Sequence, residues 1–181
     1  MQRINYWKLI RTVLIAVLLA FLFRSYLFAS YVVDGKSMEP TLFDENLIMV
    51  NKVAYDLHDI DRFDVIVFHA NEEEDYVKRV IGTPGDTIEY RNDQLYLNGE
   101  KVAESYLDPF KQGMDLPLTE DFSLEDVTGQ KQVPEGKLFV MGDNRRESLD
   151  SRYFGFVNKE EVVGKVDVRY WPVSQIGLSF N

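Results

Sequence analysis

Three stretches of this chain carry side chains whose types and order could do nucleophilic chemistry. Ser37 follows Gly35-Lys36 and opens the run Ser37-Met38-Glu39-Pro40-Thr41-Leu42. A serine hydroxyl attacks poorly until a neighbouring base takes its proton. Lys78 lies in Tyr76-Val77-Lys78-Arg79-Val80-Ile81-Gly82-Thr83-Pro84-Gly85-Asp86. Strand alternation there puts Tyr76, Lys78 and Val80 on one face and Val77, Arg79 and Ile81 on the other. Among such neighbours a lysine is desolvated, which disfavours its charged form. To work as a base near neutral pH its pKa must fall from about 10.4 by roughly 2–3 pH units, a differential of about 3–4 kcal/mol that burial can supply. The third stretch, Gly142-Asp143-Asn144-Arg145-Arg146-Glu147-Ser148-Leu149-Asp150-Ser151-Arg152, follows the apolar run Leu138–Met141 and is dense in hydrogen-bonding groups. It could orient a catalytic side chain. Each stretch alone has a plainer reading: a turn serine, a surface lysine on an edge strand, a polar turn network.

The rest of the sequence must position these groups. At 181 residues the chain has room for an anchor and one compact domain. It has no cysteine, which excludes disulfides, thiolate metal sites and a cysteine nucleophile. Two histidines, His58 and His69, leave little scope for a metal site, and no cofactor is expected. A formal charge of −10 argues against a nucleic-acid partner. Residues 1–33 carry Arg3, Lys8, Arg11 and Arg24 and no acid, a net of +4, so the remainder carries −14. Thr12–Phe23 is an unbroken apolar run. Extended from about Leu9 to about Phe28 it reaches the ~20 residues that a membrane span needs. Arg11 and Arg24 then fall at its ends, and Tyr6, Trp7, Tyr26 and Tyr31 sit at the interfaces. The basic residues before the run keep the N-terminus cytoplasmic. A cleaved leader is the competing reading, but Ala29-Ser30-Tyr31 is a poor cleavage site.

Beyond Tyr31 no long stretch has helical periodicity. Leu47–Val53, Val65–His69, Tyr76–Ile81, Thr87–Tyr90, Gln94–Leu97, Leu138–Met141 and Lys165–Trp171 read as strands, and Asn158–Val163 as one helical turn. Arg91–Val102 reads as a hairpin closed by Asn98-Gly99. Glu72-Glu73-Glu74-Asp75 is a solvated loop, and Ser105–Pro134 an acidic excursion with no chemistry in it. The expected fold is mainly β: residues 1–30 form the cytoplasmic N-terminus and transmembrane helix, and 31–181 an extracytoplasmic all-β domain of mixed antiparallel sheets or a partly open barrel, with 105–135 a small subdomain.

Taken in order, these stretches resemble the sequence boxes of bacterial type I signal peptidases of the single-anchor, Gram-positive type. The boxes are SMEPTL at Ser37–Leu42, RFDVIVF at Arg62–Phe68, YVKRVIGTPGD at Tyr76–Asp86 and GDNRRESLDSRYFG at Gly142–Gly155. The resemblance implies a membrane-bound serine endopeptidase that removes signal peptides from secretory preproteins, cleaving after small residues at −1 and −3. It implies Ser37 as nucleophile and Lys78 as base, with Ser148 hydrogen-bonded to the lysine amine. Asp143, Arg145, Asp150 and Arg152 match structural polar and ion-pair positions, with Arg79 a partner for one of the aspartates. Tyr31, Val33, Met38, Leu42, Tyr76 and Val77 match the walls of the substrate pockets. The partners implied are signal peptides, the lipid bilayer and, transiently, the export translocon; the location implied is the cell membrane, with the catalytic domain outside. One position departs from part of the family: Gly35 stands where some members carry a serine whose hydroxyl helps bind the oxyanion, leaving the Ser37 N–H as the one named donor.

Rival readings are weaker. Nothing ties His58 or His69 to Ser37, and eukaryotic-type signal peptidases carry histidine where Lys78 stands. A catalytically dead binding module would be expected to lose Ser37 or Lys78. A self-cleaving serine–lysine repressor needs a DNA-binding domain where this chain has its apolar run.

Overall fold

The structure, a computed structural model, describes residues 6–111, 117–178 and 180. Arg3 and part of the 105–135 excursion lie outside the described residues. Helix α1 spans Tyr6–Leu27, about 33 Å at 1.5 Å per residue. Its mean hydropathy reaches 1.9, and Val13, Leu14, Val17 and Phe21 are all exposed. A helix this apolar, whose described side chains stand almost wholly exposed, is long enough to cross a membrane. It ends one residue before the sequence suggests, because Phe28 is already paired with Asn51 in the first strand.

Among the described residues twelve strands follow: β1 (Phe28–Val32), β2 (Leu47–Asn51), β3 (Val65–His69), β4 (Asp75–Gly82), β5 (Ile88–Arg91), β6 (Gln94–Leu97), β7 (Glu100–Val102), β8 (Phe122–Ser123), β9 (Lys137–Met141), β10 (Val157–Asn158), β11 (Val162–Trp171) and β12 (Gly177–Leu178). The large sheet runs β1-β2-β11-β3-β4-β9-β10, with β12 also on β11; the small one runs β7-β6-β5-β8. Every pairing is antiparallel. The mainly β expectation holds, as two antiparallel sheets.

β3 occupies the middle of the large sheet, and its continuous apolar run is buried on both faces. Val65 and Val67 join Val33, Met38, Leu42, Ile48 and Val50; Ile66 and Phe68 join Val80, Leu138, Val140 and Val157. The small sheet is an insertion between the neighbours β4 and β9, whose register pairs Arg79 with Met141 and Val80 with Val140. The chain leaves β4 through a turn held by Asp86, which accepts hydrogen bonds from Thr83 N–H (2.9 Å), Asn98 Nδ2 (2.9 Å) and Arg62 Nε (2.8 Å). It closes the next hairpin through Asn98 and Gly99 at φ 54° and 82°, the positive values a tight Asn-Gly turn requires. A third core lies beneath the small sheet, built from Ile81, Ile88, Tyr90, Leu95, Phe139 and Met141.

Candidate active site

The Ser37 segment is a tight turn after β1. Glu39 N–H donates to Lys36 O (3.1 Å) and Leu42 N–H to Met38 O (2.9 Å). Met38 and Leu42 are fully buried and plug the turn into the core. Gly35 opens the turn at φ +87°, a conformation that a side chain disfavours, and its N–H donates to Asp44 Oδ1 at 2.9 Å. A serine at position 35 would be strained in this backbone, so the glycine belongs to the geometry of this turn.

Lys78 sits mid-strand in β4, opposite Ile66, and is only 4% exposed. Its Nζ lies 2.8 Å from Ser37 Oγ and 3.1 Å from Val77 O, and 5.3 Å above the Tyr76 ring centroid. Burial pulls its pKa down to about 8, against an opposing pull from the Asp150 and Asp143 charges. About a tenth of the amines are therefore neutral at pH 7, and in that form Nζ can accept the proton of the Ser37 hydroxyl. With the neutral amine as base, the rate is expected to rise about tenfold per pH unit below the lysine pKa and level off above it. Cleavage rates from pH 5 to 10 would show this; a profile flat from pH 6 to 10 would remove Lys78 as the base.

Three buried ion pairs hold these segments together. Arg79 points away from Lys78, as alternation requires, and grips Asp143 through Nε (2.9 Å) and Nη2 (2.7 Å), both side chains fully buried. Thr41 Oγ1 donates to the same carboxylate at 2.5 Å, so one aspartate joins the nucleophile turn, β4 and the loop after β9. Arg79 Nη1 also donates to Phe63 O (2.8 Å) and to Phe180 O, and its guanidinium stacks 3.9 Å over the Tyr106 ring. Asp150 takes two bonds from Arg152, each 2.8 Å, and accepts from Gly142 N–H at 3.0 Å. Arg145 crosses to the small sheet and bonds Glu104 (2.5 Å), Tyr90 Oη (2.7 Å), Thr119 Oγ1 (3.2 Å) and Tyr106 Oη (3.2 Å). Burial keeps both of these phenols far above their usual pKa, so they stay protonated.

Gly142 admits no side chain. A Cβ there would lie 2.4 Å from Ser37 O and 2.2 Å from Ser148 Oγ. The same close approach bears on Ser148. Its buried hydroxyl has no hydrogen-bond partner among the described residues, so the expected bond to the lysine amine is not formed. Lys78 Nζ is occupied by Ser37 Oγ and Val77 O instead.

Ser37 and Lys78 lie on the wall of a cleft of about 330 Å³. Four of the expected pocket residues line it: Tyr31, Val33, Tyr76 and Val77. Met38 and Leu42 do not; they lie in the core cluster that also holds Val33 and Ile48. Val32, Ile48, Val67 and Leu149 complete the apolar lining, with Asp34, Asp75 and Glu147 contributing acidic groups. His69 is bonded to Asp75 (2.6 Å) and not to Ser37. Among the described residues no cluster of His, Cys, Asp or Glu could hold a metal ion.

Sequence reasoning missed Glu104, Tyr90, Tyr106 and Thr119, and the 105–134 stretch that looked inert supplies two of them. The available signal was Arg145 itself: a guanidinium packed behind an apolar strand needs a carboxylate from elsewhere in the chain.

Comparison with known proteins identifies the family. Residues 6–171 match the family described as signal peptidase, peptidase S26. The chain is 58% identical over 167 residues to signal peptidase I of Bacillus caldolyticus, covering 92% of each chain. It is 41% identical over 177 residues to signal peptidase IB of Staphylococcus aureus strain MRSA252, covering 94% of this chain and 92% of the relative. Among solved structures it resembles a signal peptidase I from Enterococcus faecalis V583, with 45% identity and a TM-score of 0.57, over 60% of this chain and 97% of that one. The chain belongs to the signal peptidase family, peptidase S26, and is a serine endopeptidase.

Proposed function

We propose that the chain removes signal peptides from exported preproteins, with Ser37 as nucleophile and Lys78 as general base. The observation that carries this is the 2.8 Å contact between Ser37 Oγ and a desolvated Lys78 Nζ at the wall of a cleft. Ser37 Oγ bonds to the scissile carbonyl carbon as its proton passes to Lys78 Nζ and the carbonyl π pair moves to oxygen. Collapse of that intermediate breaks the C–N bond, and Lys78 returns the proton to the leaving amine. Lys78 then takes a proton from the water that hydrolyses the acyl-enzyme. The cleft walls formed by Tyr31, Val33, Tyr76 and Val77 suit small side chains at −1 and −3, with Met38 and Leu42 fixing the turn rather than touching substrate. Arg79, Asp143, Arg145, Asp150 and Arg152 act by holding the segments in register.

In this reading α1 crosses the cell membrane once. Lys8 and Arg11 hold the N-terminus on the cytoplasmic side and the catalytic domain stands outside. Signal peptides reach it along the bilayer, with transient contact to the export translocon. The test is cleavage of a preprotein ending its leader in Ala-x-Ala by the full chain in detergent, with Ser37→Ala beside it. A product beginning at the expected residue is the predicted outcome, absent in the variant. Equal cleavage by both would sink the proposal.

Ser148 has a part in this cycle. When Lys78 releases its proton toward the leaving amine, it needs a new partner, and the unpaired Ser148 hydroxyl is a buried group free to serve. An unsatisfied buried hydroxyl costs about 1–3 kcal/mol. Ser148→Ala should therefore lower kcat strongly while leaving Tm unchanged or raised. Wild-type turnover in that variant would end the orienting role.

A further inference from the structure

The least specified part of the site is the group that receives the negative charge. With Gly35 in its turn, position 35 offers no hydroxyl. The Ser37 N–H makes no hydrogen bond with any described residue, while Lys36 and Ser37 both line the cleft. The effectiveness of that N–H depends on its direction. Preorganised donors aimed at the developing charge are what make an oxyanion site strong.

That direction is set from residue 144. A trans peptide unit is planar, with its C=O and N–H pointing opposite ways. The Ser37 N–H therefore shares a plane with the Lys36 carbonyl. Lys36 O accepts two hydrogen bonds, from Glu39 N–H at 3.1 Å and from Asn144 Nδ2 at 3.2 Å. The backbone N–H of Asn144 donates in turn to Ser37 O at 3.0 Å. One residue thus fastens the peptide unit before Ser37 with its side chain and the unit after it with its main chain. Its neighbours are each held by several bonds. Asp143 is locked to Arg79 and Thr41, and Arg145 to Glu104 and to Gly142 O. Donation to the Lys36 carbonyl also polarises the shared amide, making its N–H a better donor.

We propose that Asn144 is a positioning residue for the oxyanion site: its side-chain amide aims and polarises the Ser37 N–H that receives the negative charge. This rests on Ser37 being the nucleophile. A direct oxyanion donor contributes about 10²–10³ in kcat. Asn144 acts through the peptide, so its removal lowers kcat by about 10–100-fold. The step it serves is formation of the tetrahedral intermediate, so KM stays close to the wild-type value.

Asn144→Asp keeps size and main-chain donor but removes the side-chain donor; Asn144→Ala removes the side chain. Both would be assayed as the full chain in detergent, at the high-pH plateau where a shift in Lys78 does not enter, beside wild type and Ser37→Ala. The probes are an Ala-x-Ala peptide aldehyde and the matching alcohol. Ser37 Oγ adds to the aldehyde carbon, its proton going to Lys78 and the carbonyl π pair to the oxygen; the alcohol has no carbonyl to attack. The expected result is a 10–100-fold loss in kcat, an aldehyde inhibition constant weakened by a similar factor, alcohol binding within about twofold, and an unchanged melting temperature in Asn144→Asp. Wild-type kcat in Asn144→Asp, a loss confined to KM, or equal weakening of aldehyde and alcohol would each overturn the role of Asn144. Undiminished activity in Ser37→Ala would instead overturn the nucleophile assignment, so the two failures are distinguishable.

Discussion

Ser37→Ala, Lys78→Ala and the double variant should all fall to the same residual rate, about 10⁴- to 10⁶-fold below the wild type. In the proposed mechanism Ser37 and Lys78 act as one device. Without the amine, the Ser37 hydroxyl keeps its proton and remains a weak nucleophile; without the hydroxyl, the amine has nothing to activate. The 2.8 Å separation of Oγ and Nζ is the geometric reason for this dependence. Rates of preprotein cleavage would be measured for the three variants under single-turnover conditions. Losses that multiply in the double variant would mean that the two residues act independently. The pH profile separates the same point by another route: the rise through the Lys78 pKa of about 8 should vanish in Lys78→Ala, whatever rate remains.

Glu104→Gln should cost about 3–5 kcal/mol of stability, because it leaves the Arg145 guanidinium buried against a partner with no charge. Both side chains are buried and 2.5 Å apart. For a chain of this size that corresponds to a melting temperature lower by about 10 °C. A second change should recover part of the loss. Converting Arg145 to Met as well removes the unpaired charge, and replacement of a buried pair by apolar groups is often nearly neutral. Thermal unfolding of wild type, Glu104→Gln, Arg145→Met and the double variant would test this. If the double variant is less stable than Glu104→Gln, then the tyrosines and threonine around Arg145, rather than its charge pairing, dominate the balance.

Much of this site was legible because its parts are local. Val65–His69 and Gln94–Leu97 form strands with the bounds their patterns suggest, and Asn98-Gly99 makes the turn its residues favour. Alternation correctly sent Arg79 away from Lys78. What could not be read was what depends on partners distant in the chain. Glu104 looks like any residue of an acidic stretch until Arg145, 41 residues on, is laid against it. Met38 and Leu42 have the apolar character of pocket walls, and only the packing of the turn reveals them as its anchors. Phe28 continues an apolar run, so its capture by Asn51 as a strand had no signal in the preceding sequence. Ser148 is a matter of distances too small for spacing to reveal.

The join between α1 and the first sheet bears on reach. Helix and strand meet at Leu27 and Phe28 with no residue between them, and Lys52 N–H clamps Leu27 O at 2.9 Å. An enzyme on a long flexible tether sweeps a volume and meets bonds at many heights. Here nine residues separate the end of α1 from Ser37, and the first five are already committed to β1. The protein is therefore a gauge as much as a blade: its cutting edge stands at one level over the helix that carries it, and a bond held at another level goes uncut however well its side chains fit.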